Sequence, residues 1–130
     1  MEGILTVLDF ETTSTQNPYA IEIGLVALDE NLEEVARYES VIKPPIQVSK
    51  EILGFTRLTA NQIETAPSFE DIWPDLHKYL SERVVVAHFA EFENRVLYKE
   101  FLKLGIEEFI PTSLCSLKMT KEIFPRLEKY

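Results

Sequence analysis

The early part of the chain is patterned for strands. Ile4, Leu5, Val7, Leu8 and Phe10 form an apolar run that predicts a strand with both faces covered. A second strand is expected over Tyr19 to Leu28, where Ile21, Ile23, Leu25 and Ala27 alternate with other residues. A third is expected over Glu33 to Ile42. It would put Val35, Arg37, Glu39 and Val41 on one face and Ala36, Tyr38, Ser40 and Ile42 on the other. Asp29-Glu30-Asn31 reads as a turn, and links this short make the three strands an antiparallel meander. Lys43-Pro44-Pro45 stops the meander, because proline cannot donate to a ladder.

The period then changes. Ser49 to Leu53 predicts one helical turn ended by Gly54. Thr59-Ala60-Asn61-Gln62 fits a capping box and predicts a short helix up to Glu64. Ser68-Phe69-Glu70-Asp71 is another helix start, followed by a stripe of Phe69, Ile72, Trp73, Leu76, Tyr79 and Leu80. Pro74 either falls in the first turn of that helix or kinks it. Arg83 to His88 is β-branched and apolar, as in a central strand. A helix is expected over Phe92 to Leu104, with Phe92, Val96, Leu97 and Phe101 on the sheet and Gly105 as its stop. Ile110 to Cys115 predicts a last short strand and Leu117 to Phe124 a last helix, with Pro125 at its end. The fold class is therefore α/β: a mixed sheet with flanking helices.

At 130 residues the chain is one domain or part of one. Its net charge of −9 argues against holding nucleic acid by broad electrostatics. Action on nucleic acid then requires metal ions that bridge the phosphate. Cys115 is the single cysteine, which excludes an internal disulfide and suits a reducing, cytoplasmic compartment. It reads as a small core residue. No apolar run is long enough to span a membrane.

The candidate chemistry sits at the end of the first strand. Side chains alternate along a strand, so Asp9 and Glu11 share a face, with Cα atoms roughly 6.6 Å apart. Two carboxylates at a buried strand end repel and lose hydration. A divalent cation relieves both costs, and oxygen-only ligation favours Mg²⁺ or Mn²⁺. The plainer alternative leaves both acids in water, in a chain where Asp and Glu supply 22 of 130 residues.

Several segments together resemble a known family. Leu8-Asp9-Phe10-Glu11-Thr12-Thr13 is similar to the first motif, D-x-E-T-T, of the DEDD 3′–5′ exonucleases. Gly54-Phe55-Thr56 followed by Ala66-Pro67-Ser68-Phe69 resembles that family's linker and first long helix. Val86-Ala87-His88-Phe89-Ala90-Glu91-Phe92-Glu93 resembles the second motif, V-A-H-N-x-x-F-D. Cys115-Ser116-Leu117 and Phe124-Pro125-Arg126-Leu127 look like the segment before the third. Among such proteins the chain looks most like the proofreading, or epsilon, subunits of bacterial DNA polymerase III.

The resemblance implies a ribonuclease-H-like fold and hydrolysis of nucleotides from the 3′ end of a single strand. DNA is the first expectation, with RNA or a non-catalytic module of this fold as alternatives. It implies two Mg²⁺ or Mn²⁺ ions in the intact site, roughly 3.5–4 Å apart. Asp9 and Glu11 match the first two acids, and Glu93 stands where the third is aspartate, with Glu91 as its competitor. Thr12 and Thr13 would place a backbone amide and a hydroxyl near the terminal nucleotide. Leu53 and Phe55 would pack against the last base or sugar, with Phe55 as core the alternative. His88 falls beside the substrate, or is a structural strand-end histidine. A DNA polymerase catalytic subunit is the implied protein partner, and no membrane.

Three departures modify this picture. Glu93 adds a methylene to the aspartate it replaces, moving the carboxylate by roughly 1.5 Å. Phe89 replaces the asparagine of the second motif. The third motif, H-x-x-x-x-D, which supplies the general base and fourth acid, does not occur in these 130 residues. His77 cannot replace it, since it falls on the helix before the second motif and reads as a surface residue. The expectation is an exonuclease domain over residues 1–130 that is incomplete at its C-terminus, prone to self-association and little active alone.

Overall fold

In the computed structural model, residues 3–14, 16–88, 90–106 and 112–129 are described. Five strands form one sheet of order β3-β2-β1-β4-β5. The strands are β1 (Leu5–Thr12), β2 (Ala20–Leu28), β3 (Glu34–Val41), β4 (Val84–Ala87) and β5 (Thr112–Cys115). The helices are α1 (Lys50–Thr56), α2 (Ala60–Glu64), α3 (Phe69–Leu80), α4 (Ala90–Leu104) and α5 (Ser116–Ile123). The expected meander is present: β1 pairs antiparallel with β2, and β2 with β3. β4 runs parallel beside β1, with Leu5 opposite Val84 and Val7 opposite Val86. The expected last strand begins at Thr112; Ile110 lies outside the described residues, as does Phe89.

The alternation of β2 is complete, with Ile21, Ile23, Leu25 and Ala27 all fully buried. β1 corrects the expectation of two covered faces. Thr6, Leu8 and Phe10 are buried, but Val7 is 39% exposed, and Asp9 and Glu11 are exposed on the same side as Val7. The reason is the placement of the long helices. The stripe of α3 (Phe69, Ile72, Leu76, Leu80) and that of α4 (Val96, Leu97, Phe101) join Leu8, Phe10, Ile23, Leu25 and Val85 in a single core on one face. The acids lie on the other face.

The helix starts follow the sequence. Thr59 and Ser68 each form a full capping box, with Gln62 and Asp71 reaching back to the cap amides. Pro74 lies inside α3 rather than in its first turn, on the exposed side of the helix. α1 differs from the expectation. It runs through Gly54 to Thr56 and stops where Arg57 takes the left-handed conformation, φ 62°. The Ser49 hydroxyl caps its start, the Thr56 hydroxyl donates to the Ile52 carbonyl, and Gly54 lies within the helix without ending it. Gly105 does end α4, at φ +70°, where a side chain would be strained. Among the described residues no helix is long and apolar enough to cross a membrane.

Candidate active site

β4 ends at Ala87, and its pairing with β1 covers only Leu5 to Val7. Beyond Val7, β1 runs on alone on that side, and an unpaired backbone N–H buried there would be costly. α4 supplies the partner. The Phe10 N–H donates to Glu93 Oε2 at 3.2 Å, a buried bond across 83 residues of sequence. Glu93, the fourth residue of α4, is 5% exposed. The bond brings its carboxylate beside Asp9 and Glu11, which flank Phe10.

The electrostatics register this convergence. The Glu93 carboxyl is pushed up to about 8, first by burial and then by the charge of Asp9, with Glu11 adding to it; only the Phe10 N–H pulls the other way. Glu11 is also raised, by burial, by Asp9 and by Glu22. Glu22 is an acid that sequence reasoning missed. It lies directly across from Glu11 in the β1–β2 ladder and therefore shares its face. The available signal was its place between Ile21 and Ile23, which turns it away from the core. Opposite Asp9 stands Gly24, where a side-chain Cβ would meet nothing within 4 Å, so the space beside Asp9 is open. The register slips by one residue between Glu11 and Thr12, a bulge that turns the strand at the last acid.

Of the two glutamates that competed for the third acid, Glu93 reaches β1. Glu91 is exposed and lines a cavity of about 510 Å³ with Asn94, Lys118 and Glu122. Thr12 donates its hydroxyl to the Ser14 carbonyl at 3.0 Å. Thr13 closes the loop back to β2: its N–H donates to the Tyr19 carbonyl and its hydroxyl accepts from the Tyr19 N–H. The Thr13 amide is thus already used within the protein. His88 is exposed in the turn after β4, with Nδ1 3.1 Å from the Ser116 hydroxyl. Cys115 is half-buried rather than a core residue, and its sulfur accepts from the Ala90 N–H at the start of α4. His77 is exposed on α3, edge-on to Trp73, as a surface residue.

Leu53 and Phe55 are not joined to the carboxylates by any described contact. Leu53 lines a cavity of about 380 Å³ with Ile46, Val48 and Ile63. Phe55 is 77% exposed, which removes its core reading.

The donor set at the sheet end is carboxylate oxygen alone, with excess negative charge, and this chemistry fits a hard divalent cation. Among the described residues, no three His, Cys, Asp or Glu side chains are already closed around a single point. The fit rests on the donors and on the charge that raises Glu11 and Glu93.

The sequence profile of the RNase_T family, described as an exonuclease, matches residues 6–130. The chain belongs to this exonuclease family. It is 24% identical over 132 residues to the DNA polymerase III subunit epsilon of Aquifex aeolicus, covering all of this chain and 65% of that protein. It is 30% identical over 132 residues to the PolC-type DNA polymerase III of Caldanaerobacter subterraneus, of which it spans 9%. Its fold matches that of exonuclease X in complex with 5′ overhanging duplex DNA, with a TM-score of 0.76 at 23% identity, covering 97% of this chain and 68% of that one. The ribonuclease-H-like exonuclease architecture and the family resemblance are both borne out.

Proposed function

We propose that this domain is a metal-dependent 3′–5′ exonuclease that removes nucleotides from 3′ ends of single-stranded DNA, of the proofreading type. The observation that carries the reading is the meeting of Asp9, Glu11 and a buried Glu93 at one sheet end. A folded protein tolerates such a concentration of like charge where it serves a site. A relative named as the epsilon subunit of DNA polymerase III and another named as a PolC-type DNA polymerase III support DNA as substrate, and the first supports a polymerase catalytic subunit as partner.

Asp9, Glu11 and Glu93 are the residues that would hold Mg²⁺ or Mn²⁺, two ions in the intact site. Ions held there would lower the pKa of bound water and offset charge on the phosphate under attack. The chain's own residues do the rest. The Phe10 N–H fixes the Glu93 carboxylate and keeps it from swinging to solvent. The open space at Gly24 admits the substrate backbone beside Asp9. Phe55 offers an exposed ring to a terminal base, and stacking tolerates every base, as removal of any nucleotide requires. Thr12, the Thr13 hydroxyl rather than its occupied amide, Leu53 and His88 complete the proposed substrate contacts.

The test is release of mononucleotides from 3′-labelled single-stranded DNA and RNA of matched sequence, with Mg²⁺ or Mn²⁺. Slow metal-dependent release from DNA, abolished by Asp9→Ala, is expected. The rate should lie about 10²–10⁴-fold below that of an exonuclease with a positioned general base. Preference for RNA would move the substrate to that polymer. No release at any protein concentration would leave a module without catalysis.

A further inference from the structure

α4 is tied at two places to β1 and the loop that follows it. One is Glu93 on the Phe10 N–H. The other is Lys99, six residues and about 9 Å further along the helix. Its ammonium donates to Asn17 Oδ1 at 2.6 Å and to the Pro18 carbonyl at 3.2 Å. It also stands 3.4 Å over the Tyr19 ring. That loop is stitched to β1, because Thr13 and Tyr19 exchange two hydrogen bonds just past Glu11.

We infer that Lys99 is a positioning residue for the carboxylate site, holding α4 against the loop after β1 so that Glu93 stays in reach of Asp9 and Glu11. The inference rests on the function proposed above in taking these carboxylates as ligands.

The physical argument is a balance of two contacts. At the first contact a single side-chain hydrogen bond joins α4 to β1, with two further acids beside it. The second contact is attractive. A cation meets two oxygen acceptors and an aromatic face, a combination that strengthens as water is excluded. An ammonium has three protons to donate, and this arrangement occupies it with the loop rather than with substrate. Lys103 lies 5.6 Å from the same ring, but its ammonium is bound to the buried Glu100 at 3.2 Å. It therefore serves as the control.

The experiment compares Lys99→Met, Lys99→Arg and Lys103→Met in the full 130-residue chain. The first readout is hydrogen exchange of the Phe10 amide in metal-free protein, against amides elsewhere in the β1–β2 ladder. Lys99→Met should lower Phe10 protection about tenfold relative to the ladder, and Lys99→Arg should recover most of it. The second readout is the Mn²⁺ dissociation constant, expected to weaken about tenfold in Lys99→Met, as for other outer partners of metal ligands. Unchanged Phe10 protection in folded Lys99→Met overturns the inference. So does a loss shared equally by the whole ladder, or the same loss in Lys103→Met. If Lys99→Met does not fold, Asn17→Ala must lower Phe10 protection in the same direction, and no change there also overturns it. If the unmodified chain does not bind Mn²⁺, the proposed function falls, while the Phe10 amide still decides whether Lys99 holds the helix.

Discussion

Replacing Glu93 by glutamine should stabilise the metal-free protein while destroying its site. The amide keeps the length and an oxygen acceptor for the Phe10 N–H. It removes the charge that burial and Asp9 oppose. A carboxyl that titrates near 8 instead of its usual 4.5 binds a proton in the folded state while the unfolded chain has released it. Stability therefore falls as pH rises from 4.5 toward 8 and is flat below and above that window. Each factor of ten in proton affinity is about 1.4 kcal/mol. The full difference would be about 5 kcal/mol, and water at the open sheet face lowers it to about 2–3 kcal/mol. For a domain of this size that is a rise of roughly 6–12 °C in Tm. The assay is thermal melting of both proteins at pH 4 and pH 8 in chelator, then at pH 8 with 10 mM Mn²⁺. Glu93→Gln should melt higher at pH 8, match the parent at pH 4, and lose the stabilisation that Mn²⁺ gives the parent. Equal or lower stability at pH 8 in chelator, or a gain that persists at pH 4, would refute the reasoning.

Two other outcomes follow from single contacts. Phe55→Ala should weaken binding of a short single-stranded oligonucleotide about tenfold, by loss of one stacking platform, and leave Tm within a degree, since the ring is 77% exposed; fluorescence anisotropy and melting together check it. Ser68→Ala removes the hydroxyl that accepts from the Asp71 N–H at 3.2 Å. It should cost about 1 kcal/mol in urea unfolding with no change in slope, and leave Mn²⁺ affinity untouched.

Much of this molecule is written locally. The alternation of Ile21, Ile23, Leu25 and Ala27 sets the buried face of β2, and the Thr59–Gln62 and Ser68–Asp71 pairs set two helix starts. Each depends on residues within a few positions, where backbone geometry fixes which side chains meet. The same rule put Asp9 and Glu11 on one face. Other features had no local cause. Two covered faces were expected for β1 from its apolar run, yet α3 and α4 both chose one side of the sheet. Gly54 read as a helix stop, but α1 runs through it and ends at Arg57. The motif put Glu93 at the third acid, with Glu91 two residues earlier as its competitor. Only the early end of β4, which leaves the Phe10 N–H without a strand partner, selected Glu93. Glu22 joined the acids through strand register alone. Periodicity fixes the direction of a side chain from its own strand or helix. What lies in that direction is set by segments as much as 83 residues away, and their docking follows the burial of the whole core rather than any motif.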